Sequence, residues 1–262
     1  MSFNFITSPL SHASYNMAVD EFLFREKSGL FLRIYGWSPP AISLGFGQQA
    51  AQEIDVARTQ AAGVSVVRRL TGGRAVLHDQ EITYSIAGET GGLFGPDLNS
   101  TYLKISEGLV ATLKRLGVTA EVEKGGASDR REKGSASLPC FSSVSRFELL
   151  VQGRKIIGSA QRRDKNRFLQ HGSLPLLPGL DLANLLNLNE PARQKYRDEL
   201  KREAICLQEA GVCPSFDEAV AAFRSGFSEV FGFPVELYHF SPEEEARIGL
   251  LAAKYDSPAW NR

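Results

Sequence analysis

The chain has 262 residues, 43% hydrophobic and 23% charged, the balance of an ordinary globular protein long enough to bury a large core. Thirty Lys and Arg residues match thirty Asp and Glu, so no global field draws the chain to nucleic acid or to an anionic membrane. Three cysteines (Cys140, Cys206, Cys213) make neither a metal-ligand spacing nor a small disulfide framework, which points to a reducing compartment.

The first residues lack the charged and apolar regions of a signal peptide, and no apolar run approaches the roughly eighteen residues of a membrane span, so a cytoplasmic protein is expected. Residues 16–25 predict a helix in which Met17, Phe22 and Phe24 interleave with acids. Strands are expected over 30–35 and 41–46, with a turn at Trp37-Ser38-Pro39-Pro40 between them. A helix over 53–62 stops at Gly63, and 64–69 is β-branched and strand-like. Past the Gly72-Gly73 break, 75–78 and 82–86 again favour strand. A long helix over 99–116 follows, with Leu103, Leu109, Val110 and Leu113 on one stripe, and then an edge strand over 119–123. Residues 124–138 are polar, Gly/Ser-rich and aperiodic, which predicts a mobile loop. A hairpin or meander through 147–151, 155–162 and 168–176 leads into helices over 181–186, 190–209 and 216–231. A strand over 235–240 and a helix capped by Ser241, with Pro242 and three glutamates in its first turn, complete the pattern. Strands in the middle with helices at the flanks and the end give an α+β pattern and not a regular βαβ alternation.

Two stretches can carry chemistry. Cys140 precedes one strand-like run, and Lys155 follows the Gln152-Gly153 turn, so a hairpin can bring thiol and ammonium together. A neighbouring cation stabilises a thiolate, the nucleophilic form. A buried structural cysteine beside a solvated hairpin lysine fits the same two residues. In the second stretch, Gly72-Gly73 between strands lets the backbone approach a ligand, and Arg68, Arg69 and Arg74 can pair with an anion. The double glycine also reads as a plain turn, and His78 as a structural histidine. Cys206 and Cys213 have no basic partner at a suggestive spacing and read as inert. Arg130 and Arg131 read as solvated surface or as a contact for an acidic partner.

The run from Arg68 to Asp79, Arg-Arg-Leu-Thr-Gly-Gly-Arg-Ala-Val-Leu-His-Asp, closely resembles the signature of the biotin/lipoate protein ligase and octanoyltransferase superfamily. So do Gly158-Ser159-Ala160-Gln161-Arg162 and Leu169-Gln170-His171-Gly172-Ser173. Asn16-Met17-Ala18-Val19-Asp20 and the segment from Lys254 to Trp260 also look like family positions, so the resemblance spans nearly the whole chain. Within the superfamily, Thr71-Gly72-Gly73-Arg74 and the pair Cys140 and Lys155 resemble octanoyltransferases of the LipM type. Lipoate–protein ligases typically carry a third glycine where this chain has Arg74, and they lack the cysteine.

The resemblance implies a central mixed, largely antiparallel β-sheet flanked by helices, in one biotin/lipoate protein ligase-like catalytic domain over 1–262 with a helical C-terminal portion from about 180. It implies transfer of octanoyl from octanoyl-acyl carrier protein, through a thioester on Cys140, to the lysine of the glycine cleavage H protein or another lipoyl domain, in lipoate biosynthesis. ATP, a cofactor and a metal are not needed, because the donor thioester is already activated. Lys155 would hold Cys140 as thiolate. Arg69, Thr71, Gly72, Gly73, Arg74 and His78, with Gly158, Ser159, Ala160, Gln161 and His171, would line the acyl tunnel and reaction centre. Phe141, Phe147 and Leu169 are candidates for the chain pocket or for plain core. The rival activities are an ATP-dependent lipoate–protein ligase, disfavoured by Cys140 and Arg74, and an amidotransferase moving octanoyl from the H protein to E2 domains. Zero net charge and the lack of an RRM, KH or OB signature count against a nucleic-acid module.

Overall fold

Alternation along the central strands decides the architecture. In the strand Phe31–Trp37, Leu32 and Ile34 point one way while Phe31, Tyr35 and Trp37 point the other, and all are buried. A strand buried on both faces needs helices on both sides. The computed structural model describes residues 2–124 and 147–261 and meets that need.

Its strands are β1 (Phe3–Ser11), β2 (Phe31–Trp37), β3 (Ala41–Leu44), β4 (Ser65–Arg68), β5 (Val76–His78), β6 (Glu81–Glu89), β7 (Glu121–Lys124), β8 (Phe147–Val151), β9 (Arg154–Asp164), β10 (Arg167–Pro175) and β11 (Val235–Leu237). Eight form one sheet in the order β11-β1-β2-β6-β10-β9-β8-β7, and β4-β3-β5 form a small second sheet. In the large sheet β1 runs parallel to both β11 and β2, and the remaining pairings are antiparallel. The fold is therefore α+β with a mixed, largely antiparallel sheet, as the resemblance implied.

Helices α4 (Leu98–Arg115) and α7 (Phe216–Phe231) pack on one face, and α1 (Ala13–Glu26) and α8 (Pro242–Asp256) belong to the core on the other. The first core is built around Phe3, whose ring meets Phe227 and Phe231 edge-on at centroid distances of 5.8 and 5.1 Å. No helix among the described residues is long and apolar enough to cross a membrane.

Several expectations shift for identifiable reasons. The strand β1 was not anticipated, because Thr7, Ser8, Pro9 and Ser11 hide the alternation of Phe3 and Phe5. The expected helix over 53–62 divides into α2 (Ala50–Glu53) and α3 (Val56–Ala61). Ile54 is buried and bridges to Leu186, and Asp55 restarts the helix by accepting from Arg58 N at 3.1 Å. The helix expected over 190–209 ends at Glu203, because Ile205 N turns to Lys155 O at 3.0 Å and Leu207 N to Pro175 O at 2.9 Å. The strand expected over 235–240 keeps three residues. Residues 125–138 of the expected loop lie outside the described residues, and Lys124 closes β7. At the β8–β9 hairpin, Gln152 (φ 53°) and Gly153 (φ 73°) make the two-residue turn, with the left-handed backbone that matches strand twist.

Phe227 is fully buried at the contact of α7 with β1. Phe227→Ala should cost about 3–5 kcal/mol in urea unfolding, the usual range for a large aromatic removed from a packed core. A loss under about 1 kcal/mol would show that this aromatic cluster does not hold the helical layer to the sheet.

Candidate functional site

Between the two sheets lies a cavity of about 310 Å³, within the range of small-molecule pockets. The large sheet supplies Tyr35 and Trp37 from β2, Thr83 from β6, His171 to Ser173 from β10, and Gly158 to Gln161 from β9. The small sheet supplies Ser43, Val76 and His78, and the link between β4 and β5 adds Arg69, Gly72, Gly73 and Arg74. Met17, Leu98, Tyr102 and Lys155 complete the wall. Three cationic side chains (Arg69, Arg74, Lys155) and no carboxylate line it, among the described residues.

The link is held by its neighbours. Arg69 Nη2 donates to the carbonyls of Gly72 at 2.7 Å and Arg74 at 2.8 Å, and Nη1 donates to Ser43 O at 2.7 Å. A Cβ at Gly45 would stand 2.0 Å from Gly73 O, so the two glycines let strand and link touch. Gly172 has a similar part in the floor, where a Cβ would meet Gly158 O at 2.6 Å and the Tyr84 ring at 2.6 Å.

Two acid–imidazole–hydroxyl chains stand behind the link. Asp20 Oδ2 lies 3.0 Å from His171 Nδ1, and His171 Nε2 lies 2.6 Å from Thr71 Oγ1. Thr71 Oγ1 also accepts from Arg69 Nε at 3.1 Å. With Asp20 ionised, Nδ1 carries the proton, so Nε2 accepts from the Thr71 hydroxyl; this tautomer follows from the network. In the second chain Glu81 Oε1 lies 3.3 Å from His78 Nδ1, and His78 Nε2 lies 2.8 Å from Ser43 Oγ. Ser43 Oγ accepts from Arg69 Nη1 at 3.2 Å. Trp37 stacks on His78 at 4.0 Å and donates from Nε1 to Thr83 Oγ1 at 2.8 Å, and Thr83 in turn donates to Glu81 at 2.7 Å.

Burial alone would raise the Asp20 carboxyl, but the hydrogen bond with His171, the Arg33 charge at 3.1 Å and the Ser85 hydroxyl at 2.9 Å hold it below its ordinary value. Burial pushes the His171 imidazole down, against the pull of Asp20 and with help from the charge of Arg69. The ring is therefore neutral at neutral pH, as its acceptor role towards Thr71 requires. Lys155 is buried, and its Nζ lies 3.0 Å from Glu148 Oε1 across the β8–β9 hairpin.

Of the residues singled out in the sequence, Arg69, Gly72, Gly73, Arg74, His78, Lys155, Gly158, Ser159, Ala160, Gln161 and His171 meet at this cavity. Thr71 is fully buried one step behind the wall and touches His171 and Arg69. Cys140 and Phe141 lie outside the described residues, as do Arg130 and Arg131. Leu169 belongs to the core shared by α1 and α8, and Phe147 stacks on Tyr102. Cys206 is buried, which pushes its thiol up, and Cys213 is exposed; neither lines the cavity. Arg68 and Arg162 turn inward to backbone carbonyls, those of Gly45, Phe46 and Trp260 for Arg68 and of Leu70 for Arg162. The sequence reading missed Trp37, Tyr35, Ser43 and Thr83 in the wall and Glu81 and Glu148 behind it. Among the described residues, no group of three or more His, Cys, Asp or Glu side chains is placed to hold a metal ion.

The family described as the lipoyl protein ligase A/B catalytic domain matches residues 12–228. The octanoyltransferase LipM of Kyrpidia tusciae is 38% identical, over 95% of this chain and 94% of its own. That of Geobacillus kaustophilus is also 38% identical, over 98% of this chain and 96% of its own. Among solved structures, the bi-partite lipoate protein ligase of Thermoplasma acidophilum, described with its E2 lipoyl domain, matches with a TM-score of 0.81 at 22% identity. That match covers 100% of this chain and 96% of the other, and at this identity it establishes the fold alone.

The depressed imidazole gives a pH test. An unfolded histidine takes up its proton near pH 6.5, whereas folded His171 resists, so below that pH the unfolded state binds more protons. The stability His171 contributes is complete above about pH 6.5 and declines as the pH falls towards about 5. Urea midpoints between these values should fall for the wild type and fall less for His171→Gln. An equally steep decline in the variant contradicts the neutral-ring assignment.

Proposed function

The chain belongs to the lipoyl protein ligase A/B catalytic-domain family and, within it, to the LipM octanoyltransferases, and from that premise we propose how its residues move the acyl group. The donor is octanoyl on acyl carrier protein, and the acceptor is the lysine of a lipoyl domain, first that of the glycine cleavage H protein. The Cys140 thiolate attacks the donor carbonyl carbon; its sulfur bonds to that carbon, the bond to the donor sulfur breaks, and the donor thiolate leaves and takes a proton. The neutral acceptor amine then attacks the same carbon, Cys140 leaves as thiolate, and the amine gives up its proton as the amide forms. The first step exchanges one thioester for another of similar energy. The second runs downhill, because an amide is the poorer acyl donor, so neither step calls for ATP.

The observation that carries the reading is Lys155, a buried cation in the wall of a cavity that no described carboxylate lines. An ammonium about 4 Å from a thiolate is worth about 4 kcal/mol at an effective dielectric of 20, before desolvation is counted. Glu148, at 3.0 Å from Lys155, offsets part of that attraction and fixes where the ammonium stands. The Thr71–His78 segment and Gly158–Gln161 supply the walls for the acyl chain.

Wild-type protein mixed with octanoyl-carrier protein, without ATP or magnesium, should gain one octanoyl mass and pass it to the H protein. Cys140→Ala should gain none, while Cys206→Ala and Cys213→Ala behave as wild type. Efficient use of free octanoate with ATP, with octanoyl-carrier protein left untouched, would return the ligase reading. Use of octanoyl-H protein as the sole donor would make the chain an amidotransferase.

Lys155→Ala should raise the pH at which iodoacetamide alkylates Cys140 and slow acyl transfer at least tenfold, while Glu148→Gln should lower that pH. Unchanged alkylation profiles in both variants would make the lysine a bystander.

A further inference from the structure

Strand β4 closes one side of the small sheet, and the polar groups along its outer edge need partners that no strand supplies among the described residues. Arg69 N turns to Leu44 O of β3 at 2.9 Å, so the N–H and C=O of Arg68 point the other way. The segment from Lys254 to Asn261 meets them. Arg68 N donates to Asn261 Oδ1 at 2.8 Å, and Trp260 Nε1 donates to Arg68 O at 2.9 Å. The Arg68 side chain returns the contact, from Nε to Trp260 O at 2.9 Å. Residues 260 and 261 thus stand where a neighbouring strand would.

Arg68 carries this hold inward. Its Nη1 donates to the carbonyls of Gly45 and Phe46, each at 3.1 Å, and to that of Gln48. Phe46 N donates to Thr71 O at 2.9 Å, and Gly45 presses on the Gly73 carbonyl, since a Cβ there would stand 2.0 Å from it. Residues 45–48 therefore grip the link between β4 and β5 at Thr71 and Gly73, and Arg68 grips residues 45–48. Its neighbour Arg69 draws the Gly72 and Arg74 carbonyls to Nη2. At its other end the segment is tied to α1, where Lys254 Nζ and Tyr255 OH reach Glu21 Oε2 at 2.6 and 2.8 Å, one residue from Asp20. The Lys254 ammonium also lies 3.9 Å from the Trp260 ring centroid, a cation–π contact that orients the indole. Trp260 and Asn261 are only partly buried and Phe46 is exposed, so this contact can open while the core stays closed.

We infer that the segment from Lys254 to Asn261 is a clasp that holds the Thr71–Arg74 link in place for octanoyl transfer, with Trp260 and Asn261 as positioning residues that act through Arg68. Neither lines the cavity, whereas Gly72, Gly73 and Arg74 do. A shift of about 1 Å in a group that positions substrate can cost about 10²-fold in rate, so a contact outside the cavity governs the reaction by fixing its wall. The inference rests on the octanoyl-transfer reading only in taking this cavity as the seat of the acyl group.

The double variant Trp260→Phe/Asn261→Ala keeps an aromatic ring and removes both bonds to the Arg68 backbone. Amide hydrogen exchange should quicken at least tenfold at Phe46 and Arg69, whose acceptors are Thr71 O and Leu44 O, while the amides of β6 and β10 exchange as in wild type. In the same variant kcat/KM for octanoyl-carrier protein should fall at least tenfold. Unchanged exchange at the two amides overturns the inference. So does exchange that quickens equally in β6 and β10, the mark of a general loss of stability. Loosening confined to Phe46 and Arg69 with kcat/KM unchanged overturns it as well, since the link would then move without effect on the reaction. A wild-type protein that never uses octanoyl-carrier protein refutes the transfer reading instead, and the exchange rates still decide whether the clasp holds the link.

Discussion

A buried guanidinium organises this molecule. Arg69 is 4% exposed, and its hydrogen bonds to described residues run to two hydroxyls and three carbonyls. A charge taken out of water needs its donors satisfied and its sign balanced. Part of that balance comes at second hand, from Asp20 through His171 and Thr71 and from Glu81 through His78 and Ser43. These chains reach α1, both sheets and the link between β4 and β5, so the loop that lines the cavity is fixed by groups on five separate elements, α1, β3, β5, β6 and β10.

The same arrangement makes the site costly to disturb. Asp20 receives Arg33, Tyr35, Ser85 and His171 at 2.9 to 3.1 Å, and Arg33 has no exposure at all. Removing one partner of such a cluster strands the others in a low dielectric, which is far worse than never having buried them. The polar layer under α1 is thus both the support of the site and a part of the core, and the two roles cannot be separated by mutation alone.

Much of the fold was legible because alternation is a strong signal. The strands β2, β6 and β10 fell close to where the apolar period of two placed them, and the helix starting at Pro242 followed from Ser241, the proline and the glutamates. The period is also ambiguous. Arg33, Thr83 and Ser85 alternate with Ile34, Tyr84 and Ile86 and look like a wet face, whereas they form the buried polar layer. Alternation says that two faces differ; it does not say which of them meets water. For the same reason Thr83 was not recognised as cavity wall, whereas Trp37 was assigned to the turn before Pro39 and is instead the last residue of β2. The link from Arg69 to His78 and the segment Gly158–Gln161 were legible through the resemblance, since spacing alone left a double glycine as a plain turn. Glu148, the partner of Lys155, carried no signal in the sequence, because the hairpin register that pairs them depends on a bulge between Leu149 and Leu150.

The family's fold therefore frames a cavity with a cationic wall, and the chemistry turns on whether Cys140 carries the acyl group between two partners. The most direct measurement is to quench the protein with acid after mixing it with octanoyl-carrier protein alone, digest it with trypsin, and map the added mass. An octanoyl group on the peptide 134–146, whose sole cysteine is Cys140, and its removal by neutral hydroxylamine are the expected result. Active transfer with that peptide unmodified at every quench time, or an octanoyl adduct formed only when ATP is added, would contradict the acyl-enzyme.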